Sequence, residues 1–205
     1  MPTNLVKAPN IPLFNRYIVP TKTKMKLKAT LLAIASISFA NAATITVTNV
    51  DFTLTNAVVN STGTTYSVGT GIIGLGTFSI SDSAISGAAN VSTLASAFNL
   101  FGSSSTFGSG FSIAGTFQFD TTAPITSSPS GSMYTFIGNG TTFANSSEVL
   151  VYKNATSFAA DPTPNENAIL KQSTGGTLLV GGYNNFQANI GLGSASAYNT
   201  VSFVP

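Results

Sequence analysis

Positive charge is crowded into the start of this 205-residue chain. Lys7, Arg16, Lys22, Lys24, Lys26 and Lys28 are six of its eight basic side chains. An apolar run follows at once. Met25-Lys26-Leu27-Lys28 is a short basic segment, Ala29–Phe39 has no charge, and Ala40-Asn41-Ala42 has the small-x-small form of a cleavage signal. Together they read as a secretory signal peptide over residues 25–42, cut between Ala42 and Ala43. The uncharged run is too short for the ~20 apolar residues of a membrane-spanning helix, so the mature chain is expected to carry no span. Residues 1–24 are proline-containing and lack apolar periodicity. They read as an early-assigned start, the alternative being a long basic segment, and fold reasoning is confined to residues 43–205 as a single domain.

That domain keeps only two bases, Lys153 and Lys171, against Asp51, Asp82, Asp120, Glu148, Asp161 and Glu166, a formal charge of −4. The precursor's net +2 and pI near 8.9 therefore belong to the targeting segment. Two lysines without arginine cannot track a phosphate backbone, which argues against nucleic acid as a partner, and against an anionic membrane surface. With no Cys, His or Trp, thiolate nucleophiles, imidazole bases and the usual zinc and copper ligands are excluded. Polar surface must come from Ser, Thr, Asn and backbone. The aromatic and β-branched content separates this chain from disordered sequences of similar polarity.

The pattern along the domain is β. Phe111, Ile113, Gly115, Phe117 and Phe119 alternate with Ser112, Ala114, Thr116, Gln118 and Asp120, which predicts a half-buried strand with the apolar set inward. Ile45 and Val47 alternate with threonines, and Phe52 and Leu54 continue in the opposite parity, so a bulge or turn is expected near Asn49-Val50-Asp51. Phe78 and Ile80 alternate before Asp82; Tyr134, Phe136 and Ile137 form another strand, and Val201 with Phe203 the last. Val149-Leu150-Val151-Tyr152 and Leu178-Leu179-Val180 are apolar on both parities, the signature of strands covered on both faces. Breaks fall at 60–63, 69–76, 102–110, 124–131, 139–140, 162–164 and 175–176. Leu94, Phe98 and Phe101 predict a helical turn or two over 93–100. The expectation is an all-β antiparallel sandwich, jelly-roll-like, with at most one short helix. A parallel β-helix is the rival, weakened by the lack of a constant repeat.

Chemistry-bearing patterns are few. Gly69-Thr70-Gly71-Ile72-Ile73-Gly74 spells a dinucleotide fingerprint, but a strand follows where the motif needs a helix. A turn or a close sheet crossing explains the glycines, and no cofactor is expected. Carboxylates are the available acid–base groups, and a glycan hydrolase needs two of them ~5–10 Å apart. Nothing in their spacing selects a pair, although Glu148, Asp120 and Asp82 each begin or end a strand pattern. Asp161-Pro-Thr-Pro-Asn165-Glu166 is the densest oxygen cluster, which makes Asp161, Asn165 and Glu166 the calcium candidates; it lacks EF-hand spacing and reads more simply as a solvated proline turn. Sequons at Asn60, Asn90, Asn139, Asn145 and Asn154 are the number expected by chance in so Ser/Thr-rich a chain. Tyr66, Tyr152, Tyr183 and Tyr198 are the candidate sugar-stacking rings, with Tyr183-Asn184-Asn185 the candidate glycan contact; an ordinary tyrosine-bearing loop is the simpler reading.

Met133-Tyr-Thr-Phe-Ile-Gly-Asn139, then Ser147-Glu-Val-Leu-Val-Tyr-Lys153 and Ser157-Phe-Ala-Ala-Asp161, resemble the C-terminal half of exported bacterial proteins that carry the PEP-CTERM sorting tail. The resemblance covers residues 133–205. It implies export to the cell surface and association with exopolysaccharide, and carries over no catalytic residue. The family's tail reads Val-Pro-Glu-Pro, then an apolar span and a basic end, whereas this sequence stops at Phe203-Val204-Pro205, where that tail would begin.

These features lead to an exported, non-enzymatic β protein of the cell surface or extracellular matrix, partnered by polysaccharide or by itself. A carbohydrate-binding module is second and a carboxylate-dependent glycan hydrolase third. Exported protein is expected to begin at Ala43. N-terminal sequencing that returned Met1 or Met25 would overturn the processing assignment.

Overall fold

Every side chain from Val149 to Tyr152 is buried, and the architecture follows from the need to cover that strand twice. The computed structural model describes residues 42–50, 56–124, 131–158, 166–170, 175–189 and 194–203, all within the unit Phe39–Pro205. Its elements in chain order are Ala42–Thr48 (β1), Ala57–Val59 (β2), Ile72–Phe78 (β3), Asp82–Ser86 (α1), Val91–Ala97 (α2), Phe98–Leu100 (β4) and Gln118–Pro124 (β5). Gly131–Gly138 (β6), Glu148–Phe158 (β7), Glu166–Ile169 (β8), Thr177–Val180 (β9), Gly182–Asn189 (β10), Ser194–Asn199 (β11) and Val201–Ser202 (β12) complete them. The fold is all-β. Asp51, Phe52, Leu54, Asp161, Asn165 and Lys171 lie outside the described residues.

The largest sheet runs β12-β7-β6-β3-β4, with β9 also paired to β7. All its pairs are antiparallel. Leu150 and Tyr152 project from one face into a core with Ile73, Leu75, Met133 and Ile137. That face is covered by Ile45 and Val47 of β1, Val58 of β2, Ala168 of β8 and Tyr198 of β11. These strands belong to two smaller sheets, β5-β1-β8 and β10-β11-β2. The opposite face carries Val149, Val151, Tyr134 and Phe136, covered by Ile85 of α1 and Val91 and Leu94 of α2. The result is a sandwich whose main sheet has strands against one face and two short helices against the other. Two pairs, β1–β8 and β2–β11, are parallel, a pairing open only to segments well separated in sequence, since a tight hairpin cannot join parallel neighbours.

The helices are held at their starts by side-chain caps. Ser81 Oγ accepts from the Ala84 N–H at 3.3 Å and Asn90 Oδ1 from the Thr93 N–H at 2.8 Å. The turn expected over 93–100 is α2, but it stops at Ala97. Phe98 has extended backbone angles and pairs with Phe78. The five-residue α1 buries a single apolar side chain, Ile85, too little to leave a period in the sequence.

Two expectations are corrected. Residues 111–117 are turns and loop, and β5 begins only at Gln118. Phe111 is exposed, Ile113 and Phe119 are half-buried, and Thr116, expected outward, is fully buried beside buried Phe117. The cause is backbone: Gly110 and Gly115 have φ of +80° and +69°, left-handed values that end an extended strand whatever its neighbours' polarity. Conversely, the glycines of 72–76 lie inside β3 rather than in a break. A Cβ on Gly74 would come within 2.6 Å of Leu100 and 2.8 Å of the Phe143 ring, and one on Gly76 would meet the Asn99 carbonyl oxygen and, at 2.8 Å, the Phe98 ring. Those spaces admit the second core's aromatic cluster, in which Phe136 stacks on Phe143 at 4.5 Å and meets Phe98 edge-on at 5.1 Å.

Because Gly76 abuts backbone whereas Gly74 abuts movable side chains, Gly76→Ala is expected to cost about 1–3 kcal/mol and Gly74→Ala less. Denaturant midpoints of the two variants check the order.

Candidate functional site

The described acids are spoken for by structural partners. Glu148 opens β7, where its carboxylate accepts from Ser61 Oγ at 2.7 Å, the Ser61 N–H at 3.1 Å, Thr200 Oγ1 at 2.8 Å and the Tyr66 hydroxyl at 3.1 Å. Burial alone would raise its pKa. The hydrogen bonds from Ser61, Thr200 and Tyr66 outweigh burial and hold it below the usual carboxylate value. Asn139 caps the same strand end, its Oδ1 accepting from the Ser147 and Glu148 N–H groups at 2.9 and 3.1 Å. Glu148 therefore stitches the 61–66 turn and Thr200 to the start of β7 in the main sheet.

Asp82, the first residue of α1, pairs with Lys153 at 2.7 Å and accepts from the Tyr134 hydroxyl at 2.6 Å. The Lys153 hydrogen bond, then that of Tyr134, lowers its pKa. Lys153 lies on the parity of Val149 and Val151, whereas Glu148 lies on that of Leu150 and Tyr152. Asp82 on α1 thus meets one face of the main sheet through Lys153, while Glu148 lies on the parity that points to the other. Asp120 sits on another sheet, accepting from Thr46 Oγ1 at 2.7 Å.

Among the described residues no group of three or more Asp or Glu is placed to hold a metal. Asp161 and Asn165, the calcium candidates with Glu166, fall outside the described residues. Glu166 is placed by its backbone alone, pairing with Ile45 as β8 begins.

Three of the five sequon asparagines, Asn60, Asn90 and Asn139, act as caps. Asn60 Oδ1 accepts from the Thr62 and Thr64 N–H groups at 3.0 and 2.8 Å, Asn90 caps α2, and Asn139 caps β7. Asn154 is buried, bonding Met133 O at 3.3 Å and Thr135 Oγ1 at 3.1 Å. Asn-x-Ser/Thr spacing is also what an Asx turn or N-cap uses, since the side-chain oxygen reaches N–H groups two or three residues on.

The tyrosines divide. Tyr66 stacks on Phe107 at 4.6 Å with planes 4° apart, and its hydroxyl serves Glu148 and Thr200; burial above all raises its pKa. Tyr152 of β7, Tyr183 of β10 and Tyr198 of β11 converge on a cleft of about 230 Å³, closed by Gly176, Thr177 and Leu178. Tyr183 meets Tyr198 edge-on at 5.0 Å and Tyr152 meets it at 5.9 Å. Tyr152 and Tyr198 are 1% and 2% exposed, leaving half-buried Tyr183 as the accessible ring. A Cβ on Gly176 would run into the Tyr152 hydroxyl, so only glycine lets the turn lie over that ring. The Tyr198 hydroxyl is buried without a well-formed hydrogen bond among the described residues. Burial, then the neighbouring phenols of Tyr152 and Tyr183, push its pKa up. Asn184 and Asn185 follow along β10 by backbone, and their side chains lie outside the described set.

Three of the four tyrosines singled out from sequence thus share one site. The Asp82–Lys153–Tyr134 and Glu148–Ser61–Thr200 contacts were not legible, because each joins segments 52 to 87 residues apart. No protein-family model, curated protein or solved structure matches this chain.

Glu148 carries a lowered folded pKa, so its stabilising contribution is present above the unfolded value of ~4.3 and is lost as pH falls through the folded one. Glu148→Gln is expected to lower stability by about 1–2 kcal/mol at neutral pH and to flatten the acid limb of the stability curve. Urea unfolding between pH 2 and 7 measures both effects.

Proposed function

We propose that this chain is an exported, non-enzymatic β protein of the cell surface or extracellular matrix, associating with neutral polysaccharide. The observation that supports the reading is that Glu148, Asp82 and Asp120 each accept hydrogen bonds from distant segments of the fold. Export rests on the basic, apolar and small-x-small regions of residues 25–42 and on the resemblance of 133–205 to PEP-CTERM-sorted proteins. Among the described residues no helix is long and apolar enough to cross a membrane. With a formal charge of −4 over residues 43–205, long-range steering of partners is weak, and contacts must come from hydroxyls, amides and tyrosine rings. A carbohydrate-binding module is the second reading, favoured by the three-tyrosine cleft.

Retention on neutral polysaccharide is expected to change little from low to ~1 M salt, where charge–charge attraction is screened within ~3 Å. Co-sedimentation across that series tests it, with reducing-end release assayed in parallel. Retention that collapses with salt, or steady release of sugar ends, would reject this function.

A further inference from the structure

We infer that the cleft of Tyr152, Tyr183 and Tyr198 is a subsite for a single neutral sugar ring, which deepens the polysaccharide-associated reading and rests on it. The cleft, about 230 Å³, is smaller than the ~300–1,000 Å³ of pockets for drug-sized ligands. It has room for one ring and little more. Its lining of Tyr152, Gly176, Thr177, Leu178, Tyr183 and Tyr198 contains no charged side chain. A uronate or phosphate would therefore surrender its hydration for no counter-charge, whereas a neutral polyol loses far less. Tyr183, the half-buried ring, offers a rigid face with a polar tip, the combination that suits a surface apolar in the middle and hydroxylated at its edge.

The Tyr198 hydroxyl is the second observation. It is buried with no well-formed hydrogen bond, the Tyr152 phenol being its hydrogen-bonding neighbour; a weakly satisfied buried hydroxyl contributes little to the folded state. A sugar ring seated against Tyr183 would reach it only by displacing the Tyr152–Tyr198 contact, and would then replace the Tyr152 phenol as its donor or acceptor. Gly176 holds the turn close over Tyr152 and so narrows the opening on that side.

The test titrates the full chain with glucose, galactose and mannose, with glucuronate as the charged probe, following tyrosine-ring and amide NMR shifts. Tyr183→Ala and Tyr198→Phe are compared with wild type in binding, thermal midpoint and polysaccharide retention. Binding of at least one neutral hexose, with glucuronate much weaker, is expected. Tyr183→Ala should weaken it tenfold or more, and Tyr198→Phe roughly three- to tenfold, the value of one hydrogen bond. The thermal midpoint of Tyr198→Phe should stay level or rise. A lowered midpoint would make the hydroxyl a structural partner and overturn its assigned role. No response to any neutral hexose, response equal for glucuronate, or full binding in both variants would overturn the subsite. If polysaccharide is retained undiminished by both variants, the subsite fails and the broader function stands. If hexoses bind in the cleft but polysaccharide is not retained, the broader function fails and the subsite stands.

Discussion

A strand that is apolar on both parities cannot have a wet face, and β7 is the strand on which this molecule depends. Val149 and Val151 need cover on one side, Leu150 and Tyr152 on the other. At about 25 cal/mol per Å² of apolar surface, leaving either face open would forfeit several buried side chains at once. The cover on one side comes from the two small sheets and on the other from α1 and α2. Helices this short have little stability alone; they persist because Ile85, Val91 and Leu94 fill the second core.

The scarcity of charge shapes everything outside the core. Where many proteins would use ion pairs at turns and helix starts, this one uses Asn, Ser and Thr oxygens. Asn49 is the fullest case. Its Nδ2 donates to the Asn56 and Gly115 carbonyls at 2.8 and 2.9 Å, while its Oδ1 accepts from the Phe117 N–H at 2.8 Å. One buried amide thereby joins the end of β1 to the loop that enters β5. The two carboxylate centres follow the same logic: Glu148 and Asp82 close gaps between distant segments. The uncharged tyrosine cleft lies where β7, β9, β10 and β11 meet.

Much was legible in the residues alone. Two-parity runs marked β7 as doubly covered and β9 as a strand, with Leu178 and Leu179 half-buried; threonine alternation marked β1; a helical turn near Leu94 was legible, although the recurrence through Phe98 and Phe101 overran its end at Ala97. The failures share one physical cause. Alternation between Phe111 and Phe119 describes which side chains are apolar, but left-handed glycines at 110 and 115 decide whether the backbone is extended at all. At Gly74 and Gly76 the error ran the other way. There glycine answers to Phe98 and Phe143 arriving from elsewhere in the chain, a demand that no local pattern records.

The amino-acid sequence by itself determined the all-β class, the doubly buried strand, the lack of cysteine, histidine and tryptophan chemistry, and the tyrosines as the residues to watch. These depend on composition and on a period of two, both local properties. Only the tertiary structure decided that Tyr152, Tyr183 and Tyr198 meet while Tyr66 is drawn away to Glu148 and Thr200. It alone set Glu148 and Asp82 on opposite faces of one sheet. Strand pairing assigns neighbours by register between segments tens of residues apart, and a shift of one position sends a side chain to the other face.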